Sequence, residues 1–215
     1  MTMKQLSSLT TTLQKGQGLK ISVGDIDTGV TTDLSGTQKA KAVARLMEVN
    51  NPRTIDTNLV SSVESLTKSK VNKDVRVRYP IDKDPVFNLQ SINLVGNNNV
   101  SLEEVERAIE VVSMSLVALP TDELKQRLTV LATLLIKPSQ ESAQDVGIRI
   151  KSLATELSKF PADLVVYAIE QVKKTHKFWP SFAEFYQHIS WRMETRQHLY
   201  TCLYNKRLEL TAITQ

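Results

Sequence analysis

Apolar residues recur at helical spacing from residue 101 towards the end of the chain. Val105, Ala108, Ile109, Val112 and Leu116 follow one another at intervals of three or four residues. Because that interval places side chains on one face of a helix, these residues predict an amphipathic helix. Similar apolar faces predict further helices at about 121–135, 140–158, 161–174 and 181–210. The pattern therefore predicts a mainly α protein, with a C-terminal bundle of four to five helices over 101–215.

Helix-starting signals support these positions. Ser101 and Glu104 have the spacing of a capping box, and so do Ser181 and Glu184. In such a box the serine oxygen accepts a hydrogen bond from the backbone N–H of the glutamate, and the glutamate carboxylate accepts one from the backbone N–H of the serine. Thr121 is of a residue type that caps helices, so we expect it to start the second helix.

Residues 37–100 have weaker patterns. Residues 37–48 and 57–68 predict two short helices, with the sequence NNPR at 50–53 as a break between them. Val75, Val77 and Tyr79 alternate with Arg76 and Arg78, which predicts a strand with a basic outer face. Pro85, with Pro80 just before it, and the run GNNN favour a linker over 81–100. We expect an irregular region with weak helices and one basic strand.

Residues 1–36 lack a pattern that would fold by itself. They contain five of the seven glycines and many Ser and Thr residues. Such a composition is typical of chain that cannot bury enough apolar surface to become ordered. We expect a flexible or extended arm, which makes the N-terminal region irregular and partly extended.

Composition and charge narrow the class of protein. With 41% hydrophobic and 23% charged residues, the chain is neither wholly disordered nor a coiled-coil rod. No run of 18 apolar residues and no secretory signal is present, so we expect no membrane partner and a location in the cytoplasm. The net charge of +4 is compatible with nucleic acid as a partner, and equally with an ordinary solvated surface.

No motif predicts an enzyme. The glycine-containing segments have neither the spacing nor the lysine of a phosphate-binding loop. His198 and Cys202 are four residues apart and would form only half of a zinc site, and Asp25 with Asp27 is too small a set to hold a metal. We therefore expect no catalytic residues, no bound metal and no cofactor.

Aromatic residues concentrate near the end of the chain. Ten of the twelve lie between Phe160 and Tyr204. Large aromatic side chains dominate both cores and protein interfaces, so this concentration marks either a corner of the helical core or a partner-binding surface. The candidates for partner contact are Phe178, Trp179, Phe182, Phe185, Tyr186 and Trp191.

Basic residues lie close to these aromatics in the sequence. Basic side chains next to aromatic rings are typical of surfaces that bind single-stranded nucleic acid. The candidates are Lys173, Lys174, Lys177, Arg192 and Arg196, together with Arg76 and Arg78 of the predicted strand. For Arg76 and Arg78 the alternative is an edge strand whose charge prevents aggregation.

The segment FPADLVVYAIEQVKKTHKFWPSFAEF, residues 160–185, carries a resemblance. It is similar to a helical module of prophage proteins and, more distantly, resembles the helicase loaders of the lambda-type phage replication protein P family. The likeness covers about 120–200, and its specific part is Lys177 to Phe185. It implies a phage-encoded replication accessory protein that contacts a replicative helicase and single-stranded DNA.

Two other functions fit the same sequence. A phage virion or assembly protein would order its N-terminal arm against neighbouring subunits. A small regulatory DNA-binding protein would use the scattered basic residues. The sequence leaves the oligomeric state open, and we expect any nucleic-acid binding to be electrostatic, because no recognition-helix motif is present.

Overall fold

A computed structural model describes residues 34–49, 51–79, 85–97, 99–136 and 142–214. The predicted N-terminal arm lies outside the described residues except for its last three positions. The described elements are α1 (Gly36–Val49), α2 (Pro52–Thr67), β1 (Lys70–Arg78), β2 (Val86–Val95), α3 (Leu102–Met114), α4 (Thr121–Leu134), α5 (Ala143–Leu157), α6 (Ala162–Thr175) and α7 (Phe182–Thr214). The prediction of a mainly α fold with a C-terminal group of helices is confirmed.

The second helix begins earlier than its apolar pattern predicts. Asn51 is its N-cap, and its side-chain oxygen accepts hydrogen bonds from the backbone N–H groups of Arg53 and Thr54. Pro52 occupies the first turn, where no N–H is needed. The segment NNPR therefore ends α1 and also starts α2, five residues before the predicted position.

Residues 81–100 are not simply the predicted linker, because β2 lies within them. It pairs antiparallel with β1 to form a hairpin. Val75 pairs with Leu89 and Asp74 pairs with Ser91, so Gln90 is an extra residue in a β-bulge. The bulge shifts the apolar alternation of β2 by one position, which conceals a strand from a search for period two.

The helix caps agree with the sequence in part. Ser101 and Glu104 form the complete capping box of α3. At the start of α7, the Glu184 carboxylate accepts hydrogen bonds from the backbone N–H and the hydroxyl of Ser181, at 2.6 and 2.8 Å. Thr121 is not a cap, since α4 follows Pro120 without a side-chain cap.

The long helix α7 is the axis of the fold. It packs against α3, α6 and β2, and its side chains Phe185, Ile189, Leu199 and Leu203 are fully buried. None of the helices within the described ranges is both long and apolar enough to cross a membrane.

One hydrophobic core joins both halves of the chain. Ile55, Leu59 and Val63 of α2 and Leu89 and Ile92 of β2 belong to the same buried cluster as the helices after residue 101. The boundary at residue 100 stays a prediction, but α2 and the hairpin are packed on the C-terminal helices and are not a separate irregular region.

Candidate functional site

Arg196 is the most buried ion in the described protein. Its side chain has no solvent exposure, and its Nη2 and Nη1 atoms donate hydrogen bonds to the two carboxylate oxygens of Asp163, at 2.6 and 2.9 Å. Nε donates to Asp56 at 2.8 Å, and Nη1 also donates to the carbonyl oxygen of Ser115 at 2.7 Å. The prediction that Arg196 contacts nucleic acid is wrong, because every side-chain nitrogen already has a partner in the core.

The charge of Arg196 is maintained by its partners. Burial by itself would lower the pKa of the guanidinium, but the hydrogen bonds and charge of Asp163, supported by Asp56, outweigh it and raise the pKa. Neither aspartate was predicted from the sequence as a functional residue. A usable signal was present, since Asp163 is a single acid among consecutive apolar residues of α6.

Arg192 lies one helical turn before Arg196 and forms an ion pair with Asp56. Its side chain is about one quarter exposed, so Arg192 differs from Arg196 in reaching the surface. There it lines a cleft of about 670 Å³, which we call the cationic cleft.

The cationic cleft lies among the end of α1, the start of α2, and the helices α4, α6 and α7. Among the described residues, its charged lining consists of Arg53, Arg127, Lys174 and Arg192, with Glu170 as the one carboxylate. Asn51, Tyr167 and Gln171 contribute further polar groups. Four cations against one acid make a site suited to phosphate oxygens, since guanidinium groups bind such oxyanions through paired N–H donors.

The four cations differ in how far they are already neutralised. Arg127 donates to Glu123 at 2.7 Å, and Arg192 pairs with Asp56. Arg53 and Lys174 are exposed and have no ion-pair partner among the described residues. These two side chains are therefore the ones most available to an incoming phosphate.

An apolar groove of about 370 Å³ lies between α4 and α6. Its floor includes Leu131 and Ile169, and its wall includes Val130 and Leu134, which are mostly exposed. The groove shares its rim with the cationic cleft, because Arg127, Val166 and Glu170 line both. An apolar surface and a positively charged surface thus meet along one edge of α6.

The exposed apolar surface continues past the groove to the connector between α6 and α7. Ile136 donates its backbone N–H to the carbonyl oxygen of Lys177 at 3.0 Å, and it forms a β-bridge with Phe178. Phe178 is 63% exposed, and Ile136 is also exposed. We call Val130, Leu134, Ile136 and Phe178 the apolar band.

The aromatic candidates divide into buried and exposed side chains. Phe185 is fully buried, so its prediction as a partner contact is wrong, and the reason is that it faces inward from the first turn of α7. Trp179 is half-buried against the core, and its indole Nε1 is buried without a hydrogen-bond partner in the described part of the chain. Phe182 and Tyr186 stack at 5.8 Å on one another and both contact Phe160.

Two of the remaining aromatic candidates reach solvent. Phe182 and Trp191 are both partly exposed, and with Phe178 they are the candidates open to a partner. The predicted aromatic cluster therefore fits both interpretations. Phe185 and Trp179 pack in or against the core, whereas Phe178, Phe182 and Trp191 are open to solvent.

The basic candidates are similarly separated. Lys174 and Arg192 meet in the cationic cleft, whereas Lys173 lies at the rim of the apolar groove, 3.7 Å from Glu170. Lys177 is exposed beside the apolar band. Arg76 and Arg78 are exposed on the hairpin and do not line the cleft.

His198 and Cys202 do not form part of a metal centre in the described residues, where no group of three potential ligands is found. Burial lowers the pKa of His198 and raises that of the Cys202 thiol. Both shifts favour the uncharged side chain, as expected for groups packed against the core.

Comparisons of the chain with protein-family models, with curated proteins and with solved structures give no match.

Proposed function

We propose that the protein is a non-enzymatic accessory protein of phage or prophage DNA replication. It docks on a replicative helicase through the apolar band and holds single-stranded DNA by its phosphates in the cationic cleft. The observation that carries this proposal is the shared edge of the two surfaces, formed by Arg127, Val166 and Glu170. A loader or adaptor needs such neighbouring contacts, because it must hold a protein and a nucleic-acid strand together.

The apolar band has the properties of a protein-binding surface. Val130, Leu134, Ile136 and Phe178 are all exposed, and they follow one another along the end of α4 and the connector. Contiguous exposed apolar side chains carry a cost in water and commonly mark interfaces. An aromatic residue at such a position often supplies a large part of the binding energy, and Phe178 is that residue here.

The groove between α4 and α6 suits a helical partner segment. Its apolar floor is flanked by the ion pairs Glu123–Arg127 and Glu170–Lys173, so both signs of charge are available at its rim. An amphipathic helix binds such a groove with its apolar face inward and its polar flanks against the rim. We therefore expect the contacting element of the helicase to be an amphipathic helix.

The cationic cleft supports binding of a DNA strand without sequence preference. Phosphate contacts position a strand but carry no sequence information. Tyr167 lies in the cleft with Arg53, Lys174 and Arg192 and offers a ring on which a base can stack. The helicase and the phage origin come from the resemblance of Lys177–Phe185 to the helicase loaders.

The test for the helicase contact uses the full chain and the purified replicative helicase of the bacterium that carries the gene. We expect binding in surface plasmon resonance, and loss of at least about tenfold in affinity for Phe178→Ala, the range of an interface hot spot. The matched control is Ile148→Ala, which removes another exposed apolar side chain, on α5. No binding by the wild type, or equal loss in both variants, would overturn the helicase assignment.

The test for the cleft measures fluorescence anisotropy of a labelled single-stranded oligonucleotide. The double variant Arg53→Ala/Lys174→Ala is expected to bind more weakly. The control Lys41→Ala/Arg45→Ala removes two exposed positive charges from α1. Equal weakening in both variants would show diffuse charge attraction, and would contradict a site in the cleft.

A further inference from the structure

The β1–β2 hairpin has two faces of different chemistry. One face packs on the core through Leu89 and Ile92, with Val71, Val75 and Leu94 partly buried beside them. The strand register places the alternate residues on the opposite face. That outer face consists of Lys70, Asn72, Asp74, Arg76 and Arg78 on β1, and Asn88, Ser91, Asn93 and the two terminal valines on β2.

The outer face is positively charged and rich in side-chain amides. Lys70 is held by Glu64 at 3.5 Å, whereas Arg76 and Arg78 form no ion pair with any described residue. Arg76 lies directly opposite Asn88 across the two strands. Protection of an edge strand would explain the arginines alone. It does not explain why the three central positions of this face on β2, Asn88, Ser91 and Asn93, are neutral hydrogen-bonding residues.

The far end of the hairpin stands clear of the helices. Phe87 belongs to the core-facing side by register, yet it is 57% exposed, whereas Leu89 two residues further is buried. Tyr79 is 78% exposed. The helices therefore cover the ribbon at Leu89 but no longer cover it at Phe87 and Tyr79. From Val77 and Phe87 outwards, a large ligand can approach the ribbon from both sides.

We propose that the outer face of this ribbon binds the major groove of duplex DNA. The major groove of B-form DNA is roughly 12 Å wide and admits a two-stranded β-ribbon. Arginine pairs with the O6 and N7 atoms of guanine, and asparagine with the N6 and N7 atoms of adenine. Arg76 and Asn88 place these two side chains at one level of the ribbon, and Arg78 follows one step towards the tip.

Charge decides how the ribbon meets the duplex. The outer face has three cations, Lys70, Arg76 and Arg78, against one carboxylate, Asp74, so phosphates attract it on balance. The ribbon is therefore expected to lie along the groove with this outer face towards the DNA. The major groove of A-form RNA is too narrow and deep for side chains to read, so RNA duplexes are poor ligands.

This site is separate from the single-stranded DNA site of the proposed function. A protein with both would bind a junction, with the duplex on the hairpin and the unpaired strand in the cationic cleft. The two sites can be tested independently, since Arg76 and Arg78 line neither the cleft nor the groove.

The experiment measures anisotropy of three labelled probes: a mixed-sequence 24-base-pair DNA duplex, the corresponding RNA duplex and the single strand. For Arg76→Ala/Arg78→Ala we expect duplex DNA affinity to fall by about tenfold or more, as for the loss of bidentate base contacts. Single-strand affinity should not change. Arg76→Lys/Arg78→Lys keeps the charge, and its loss of duplex affinity would support base contact over simple phosphate attraction.

The matched control is again Lys41→Ala/Arg45→Ala, which removes the same charge from α1. Both pairs of residues are exposed, so all variants should keep the melting temperature of the wild type. Absence of duplex binding in the wild type would overturn the proposal. Equal loss in the control, equal affinity for the RNA duplex, or a parallel loss of single-strand binding would overturn it as well.

Discussion

Arg196 and Asp163 face one another in the core through two hydrogen bonds of 2.6 and 2.9 Å, with neither side chain exposed to solvent. The pair joins α7 to α6, and the additional contacts of Arg196 with Asp56 and Ser115 extend it to α2 and the end of α3. The helices α6 and α7 also carry Lys174 and Arg192, so the buried pair holds together two of the helices that line the cationic cleft.

Removal of one partner of this pair should strongly destabilise the protein. Asp163→Asn keeps the shape of the side chain but leaves Arg196 without its principal counter-charge. We expect the free energy of unfolding to fall by about 3–5 kcal/mol, the range found when one member of a buried ion pair is lost. Urea denaturation followed by circular dichroism measures it.

The control for this variant is Asp122→Asn. Asp122 also pairs with a cation, Lys125 at 2.9 Å, but its side chain is 90% exposed. An exposed pair of this kind contributes only about 0–1 kcal/mol. Similar small losses in both variants would mean that Arg196 keeps its counter-charge from Asp56 alone.

The sequence predicted the helices because each presents an apolar face with a period near 3.6 residues. It misplaced Arg196 because a basic residue on a helix looks the same whether its partner is water or a distant aspartate. Asp56 lies 140 residues away in the chain. β2 was missed for a different reason, since the bulge at Gln90 breaks the alternation that identifies a strand.

The cationic cleft could be predicted only in part. Lys174 and Arg192 belong to the basic stretch near the aromatics, which composition reveals. Arg53 and Arg127 come from α2 and α4, and only the packing of these helices brings them to the same opening. The adjacency of the cleft and the apolar groove is likewise a product of tertiary structure.

Phe178 and Trp179 are neighbours in the sequence with opposite expected roles. Trp179→Ala should lower the free energy of unfolding by about 2 kcal/mol, somewhat below the cost for a fully buried aromatic, because its ring is half-buried. Phe178→Ala should leave the melting temperature unchanged, because its ring is exposed. Differential scanning calorimetry on both variants, beside the helicase-binding assay, measures the two effects.

An unchanged melting temperature for Trp179→Ala, with helicase binding lost, would reverse these roles. The connector would then bind its partner through the tryptophan, and the unpaired Nε1 atom would mark the contact. A lowered melting temperature in both variants would instead make the whole connector part of the core.

Salt should weaken the binding of single-stranded DNA in proportion to the phosphates neutralised. For single strands the slope of log K against log salt is about −0.7 for each phosphate contact. The variant Arg53→Ala/Lys174→Ala removes two cations from the cleft, so the slope should become shallower by about 1.4. Anisotropy titrations from low to high salt measure it. Sequence-selective binding that hardly responds to salt would contradict a phosphate-binding cleft.

The independence of the C-terminal region can be tested with two fragments. The sequence predicts that residues 101–215 fold without the preceding segments, and we expect a cooperative thermal transition. The transition should lie below that of fragment 34–215, because α2 and β2 contribute Leu59, Val63 and Leu89 to the core and α2 contributes Asp56. No cooperative transition in the shorter fragment would place α1, α2 and the hairpin in the same folding unit.

Acid should weaken the junction between α2 and α3. The carboxylate of Glu104 accepts the backbone N–H of Ser101 and then the side chain of Lys68, and these contacts lower its pKa from 4.5 to about 2. The unfolded chain therefore binds a proton more readily than the folded one. The contribution of the Glu104 carboxylate to the free energy of unfolding is complete above pH 4.5 and is lost as the pH falls towards 2.

The variant Glu104→Gln tests this dependence. It removes the titrating group and the charge facing Lys68, while the amide oxygen can still accept the hydrogen bond from Ser101. We expect a lower melting temperature than the wild type at pH 7, and a smaller difference at each step from pH 5 to pH 2. Glu103→Gln is the matched control, because Glu103 is exposed beside Glu104 and pairs with Arg107, one turn along the same helix. A difference that stays constant over this range would mean that the cap stabilises α3 by geometry alone, and that the charge of Glu104 contributes nothing.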